Sequence, residues 1–103
     1  MLNFVLILNA KYIIMTLDES VAICTILADI FDTHDFIREY IYRFPYSYGE
    51  LLMKHNNVTT AHAEIANFLR NNVGKLNIRK SGDSESEDIF KHRVKCANWE
   101  KIK

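Results

Sequence analysis

A chain of 103 residues, 49% hydrophobic and 25% charged, can fill one hydrophobic core but not two, and its overall composition is that of a globular and not a disordered chain. Thirteen Lys and Arg balance thirteen Asp and Glu, so the chain as a whole lacks the basic excess usual in nucleic-acid binders. Two cysteines, Cys24 and Cys96, lie far apart and match no paired metal-site or disulfide spacing, which points to a reducing, cytoplasmic setting.

The segment Met1 to Met15 is strongly apolar. No basic residue precedes the run, no A-x-A-like site follows it, and Asn9 and Lys11 interrupt it short of the roughly 20 residues a membrane-spanning helix needs. It therefore reads as neither a signal nor a span, and no membrane partner is expected. Residues 1–15 are either an apolar leader before a start at Met15, or strands at Asn3–Leu8 and Tyr12–Thr16 joined by a turn. Residues 16–103 make a single domain.

Thr16 and Glu19 form a capping box that opens a first helix at Leu17. Val21, Ile23, Cys24, Ile26, Leu27, Ile30 and Phe31 make that helix apolar around most of its circumference, as befits a central element. Asp32 and Thr33 offer caps for a second helix with a buried stripe of Phe36, Ile37, Tyr40 and Ile41 and a Glu39–Arg43 pair. Pro45 ends it. Ser47 and Glu50 suggest a capping box for a short third helix that stops near Asn56-Asn57. Thr60 is the expected cap of a fourth, with Ala61, Ile65, Phe68 and Leu69 at helical spacing and Gly74 as its stop.

Beyond Gly74 the period becomes two. Leu76 and Ile78 alternate with Lys75, Asn77 and Arg79, and Phe90, Val94 and Cys96 alternate with Lys91, Arg93 and Lys95. The polar run Ser81–Asp88 between them reads as a loop. The expected fold is α+β and mostly α, a four-helix core with a C-terminal two-stranded β-hairpin. Charge is divided unevenly along it: residues 1–72 carry five basic against eight acidic residues, and residues 73–103 carry eight against five.

A short helix from Ser47, a polar turn at Asn56-Asn57-Val58, an amphipathic helix from Thr60 and a hairpin together resemble the winged helix-turn-helix family over about residues 35–96. The resemblance implies that the helix after the turn enters the major groove and that the hairpin rests on the DNA backbone. It implies groove-facing roles for His62, Asn67, Arg70 and Asn71, and phosphate contacts from Thr59 and Thr60 at the helix start. Arg79, Lys80, Lys91, Arg93 and Lys95 of the hairpin, with Lys75, would neutralise phosphates. A DNA-binding module with a role in regulating transcription is the function this implies. Glu64 and the acids between Asp83 and Asp88 depart from a strongly DNA-binding pattern, and a basic strand face also serves to keep any exposed hairpin in solution.

The competing expectation is a small adaptor or inhibitor domain of the kind phages and other mobile elements encode. It would bind a protein partner through Tyr42, Tyr46 and Tyr48, because Tyr is favoured at protein interfaces. His62-Ala63-Glu64 matches half of a zinc deaminase signature, but no P-C-x-x-C follows. His34-Asp35 stands alone, and His92 and Cys96 on one strand are about 13 Å apart, too far for one metal. No catalytic residue, metal site or cofactor is expected, and no enzyme activity.

Overall fold

The computed structural model describes residues 15–103, so the readings made for residues 1–14 lie outside the described residues. Thr16 opens α1 (Leu17–Ile26): its hydroxyl accepts from the Glu19 amide and the Glu19 carboxylate accepts from the Thr16 amide, both at 3.1 Å. The helix is shorter than its apolar run suggested. It buries Ser20, Ile23 and Cys24 and leaves Val21 and Ile26 exposed.

Ile30–Asp32 is a strand, β1, rather than the end of that helix. Asp32 must be extended (φ −108°, ψ 172°) for its carboxylate to cap the next helix, so no helix can run through it. Phe31 enters the core from this strand and Ile30 faces solvent. In α2 (Thr33–Arg43) the Asp35 amide donates to Asp32 Oδ1 at 2.8 Å, and Phe36, Ile37 and Tyr40 are buried as their spacing requires.

Pro45 does more than end α2: it occupies the first turn of α3 (Pro45–His55), where its missing N–H costs nothing. Ser47 is therefore inside α3 and not its cap, and its hydroxyl donates to Glu19 Oε2 at 2.5 Å, tying α3 to α1. Asn56 ends α3 in the left-handed region (φ 51°), a conformation Asn tolerates. The next helix, α4 (Val58–Asn71), is capped by Asn57 and not by Thr60; Asn57 Oδ1 accepts from the Thr60 amide at 2.9 Å. Ala61, Ile65 and Leu69 form its buried stripe.

The chain leaves α4 before Gly74 and makes one more short helix, α5 (Val73–Leu76), so Lys75 and Leu76 are helical and not in a strand. Asn77, again left-handed (φ 58°), turns the chain into β2 (Ile78–Glu87), which pairs antiparallel with β3 (Arg93–Lys101). Ser81–Glu87 is thus strand and not loop. Ser84 and Ser86 face inward while Glu85 and Glu87 face water, an alternation of small hydroxyls and acids that carries no apolar signal. The turn is Asp88–His92: the Phe90 and His92 amides both donate to Asp88 Oδ1, and Lys91 is left-handed (φ 65°). Phe90 and Lys91 accordingly belong to the turn rather than to β3.

The sheet has three strands, in the order β1-β3-β2, instead of the two expected. Trp99 on the central strand faces Phe31 of β1 and Lys80 of β2. Between Lys80 and Asp83 the register slips by a bulge, and Gly82 there has φ 102°, where a side chain is strained. Phe31, Ile78 and Trp99 join Ile23, Phe36, Tyr40, Leu51, Ile65 and Leu69 in one buried cluster. Each large side chain contributes roughly 1.5–3 kcal/mol on burial, so this cluster fixes the hairpin against the helices. Among the described residues no helix is long and apolar enough to cross a membrane.

Candidate functional site

The buried stripe Ala61-Ile65-Leu69 turns one side of α4 into the core and leaves Thr59, Thr60, Ala63, Asn67, Arg70 and Asn71 exposed. The hairpin packs on α2 and α5 and faces this helix across a gap. Between them lies a groove of about 600 Å³ that brings Ala66, Arg70 and Val73 together with Lys80, Lys95 and Trp99. A second depression of about 440 Å³ shares Thr33, Ala66 and Cys96 with the first and runs to Thr59, His62 and the turn residues Asp88 and His92.

The groove therefore collects cations that are distant in sequence. Arg70 comes from α4, Arg79 and Lys80 from β2, and Lys95 from β3. Some of these charges are already met by acids: Arg79 lies 2.5 Å from Glu100, and Lys80 lies 3.3 Å from Asp83. Arg93, which does not line the groove, is 3.9 Å from Glu85. Arg70, Lys91 and Lys95 have no acid within ion-pair distance among the described residues. Lys91 projects from the turn, and Lys75 sits on α5, outside the groove.

Glu64, the acid on α4, is turned away toward α3. Its carboxylate lies 3.1 Å from Lys54 Nζ and 2.7 Å from His55 Nε2. Burial pushes that carboxyl up, but His55 and Lys54 outweigh burial and hold it below the usual range. Its charge is thus spent within the helical layer rather than presented at the groove.

His62 is half-buried, with Nε2 2.7 Å from the Tyr48 hydroxyl and the two rings 5.7 Å apart. Burial lowers its pKa, so at neutral pH the ring is uncharged. Thr60 spends its amide and hydroxyl on Asn57 Oδ1. Thr59, Asn67 and Asn71 are exposed. The tyrosines divide: Tyr42 is 77% and Tyr46 89% exposed, whereas Tyr48 packs edge-on against Tyr40 in the helix junction.

Spacing along the chain did not reveal one further cluster. Beneath the hairpin, His34 Nδ1 lies 2.7 Å from Ser86 Oγ and 3.5 Å from Cys96 Sγ, and the Ser84 hydroxyl donates to Asp32 Oδ2 at 3.2 Å. Asp32 and His34 are buried. Burial pushes the Asp32 carboxyl up, yet the Asp35 amide, the Ser86 and Ser84 hydroxyls and His34 together hold it below the usual carboxylate range. The Ser-Glu alternation of β2 was the one sequence signal that this strand had a polar inner face. No family model, no curated protein and no solved structure matches this chain.

Proposed function

We propose that this chain is a small DNA-binding module of winged helix-turn-helix type, with α4 as the base-reading helix and the β2–β3 hairpin as the wing. The observation that carries the reading is the groove in which Arg70 of α4 meets Lys80 and Lys95 of the hairpin. A duplex laid over the exposed side of α4 brings its phosphates to these cations, and counterion release supplies most of the affinity. Arg70, Asn67 and Asn71 are of types that pair with base edges, Arg with guanine and Asn with adenine. Thr59 stands exposed at the helix start, where phosphate is favoured, and Thr60 beside it must first release Asn57 Oδ1. Lys91 at the turn and Arg93 extend the cationic surface along the wing. The net charge of zero is unevenly placed: Glu64 is engaged by Lys54 and His55 away from the groove, and Arg70 and Lys95 make no ion pair among the described residues, whereas Arg79, Lys80 and Arg93 must exchange Glu100, Asp83 and Glu85 for phosphate.

The test is a salt titration of binding to labelled duplex DNA by fluorescence anisotropy. Log K should fall with log salt by about 0.9 per phosphate contact, and the double variant Arg70→Ala/Lys95→Ala should reduce the slope by about 1.8. No binding at low salt removes the reading. The exposure of Tyr42 and Tyr46 favours a second one, an adaptor or inhibitor domain that binds a protein through that aromatic pair. Under it, duplex DNA fails to bind, and Tyr46→Ala abolishes partner binding while Arg70→Ala and Lys95→Ala leave it intact.

A further inference from the structure

We infer that Asp32, His34 and Cys96 form a binding site for one zinc-type divalent ion, which pins the hairpin to the start of α2. The three ligands come from three elements: Asp32 ends β1, His34 lies in the first turn of α2, and Cys96 is on β3. Their donor atoms all lie within 4.8 Å of one another. A tetrahedral ion with Zn–S of about 2.3 Å and Zn–N of about 2.0–2.1 Å separates its sulfur and nitrogen ligands by about 3.6 Å. The Sγ–Nδ1 distance here is 3.5 Å, so this edge is already set.

The chemistry selects the metal. A thiolate, an imidazole and one carboxylate suit zinc and its neighbours, whereas calcium and magnesium require several oxygens. A deprotonated Cys96 and Asp32 carry two negative charges with His34 neutral, which cancel a divalent cation and remove the cost of burying a net charge. The thiol proton passes to solvent on binding. Only one oxygen of Asp32 is taken by the cap: Oδ1 accepts from the Asp35 amide, while Oδ2 accepts from the Ser84 hydroxyl, which can turn away. Ser86 Oγ must release Nδ1 for the ion to take it, and water then fills the fourth position. Entry is from the groove, since Cys96 lines both of its depressions. Cys24 has no such role: burial raises its thiol to about 11, which keeps it protonated. The site stands whether or not the chain binds DNA.

Titration of the tag-free chain with Co(II) tests this. The expected result is a near-UV sulfur-to-cobalt band that saturates at one equivalent, is bleached by Zn(II), and persists in Cys24→Ser and in Ser86→Ala. Cys96→Ser abolishes the band, and Asp32→Asn, which retains a capping side chain, weakens binding at least about tenfold. One equivalent of Zn(II) also raises the melting temperature of the native chain and not that of Cys96→Ser. Absence of the band from the native chain at one equivalent, or its survival in a Cys96→Ser variant of native circular dichroism, overturns the assignment.

Discussion

The indole Nε1 of Trp99 donates a 3.0 Å hydrogen bond to Thr33 Oγ1 across 66 residues of sequence. The same hydroxyl donates onward to the Ala97 carbonyl, so one buried threonine joins the start of α2 to the central strand. Both residues are almost inaccessible to water. Thr33→Val keeps the shape but strands the indole N–H, and it should cost about 1–3 kcal/mol in urea unfolding. The same substitution made in a Trp99→Phe background should cost clearly less, because no N–H is left to strand. Equal costs in the two backgrounds would show that the bond contributes nothing.

Glycine exchanges should have opposite signs at two positions. Gly82 sits at the bulge with φ 102° and open space around it, so Gly82→Ala is penalised by its backbone alone, by about 1 kcal/mol or more. Gly49 is inside α3 with nothing near an added Cβ, and Gly49→Ala should stabilise by about 0.5–1 kcal/mol. Thermal melts of the two variants check both signs at once.

Acidification should weaken the fold through His62. Burial holds this histidine below its ordinary value of 6.5, against the opposing pull of Asp88 and with some help from His34. As pH falls below 6.5 the unfolded chain gains a proton that the folded chain refuses, so stability is lost in the window between 6.5 and the lowered folded value. His62→Gln should flatten the dependence of unfolding midpoint on pH between about 7 and 5. An unchanged slope would assign the titration to another group.

Removing Lys95 should affect duplex binding more than removing Arg93. Arg93 is 3.9 Å from Glu85 and does not line the groove, while Lys95, on the same face of β3 and in register with Glu85, lines the groove and makes no ion pair among the described residues. Lys95→Ala should lower the log K against log salt slope by about 0.9, and Arg93→Ala by less, because its partial neutralisation by Glu85 must first be broken. The reverse order would move the binding surface toward the tip of the wing.

Capping residues and apolar spacing determined much of the helical layer, though not the starts of α3 and α4, the end of α1 or the short α5. Thr16 with Glu19, Asp32 before α2, and the stripes Phe36-Ile37-Tyr40 and Ala61-Ile65-Leu69 were legible because each acts within four residues of itself. What tertiary structure decided are the features whose partners are distant. Ile30–Asp32 is a strand because β3 lies beside it, some 66 to 70 residues on by register. Ser81–Glu87 is a strand because its serines meet Asp32 and His34, contacts that a polar run does not announce. The candidate site was legible only in its parts. Arg70, Lys80 and Lys95 could be named from the sequence, but that they line one groove, and that Cys96 lies against His34 and not beside His92, follows from how the strands pair and where Trp99 anchors them. Local rules fix helix faces and the starts of α1 and α2, while the convergence of charges and ligands is set by long-range packing that no short window of sequence contains.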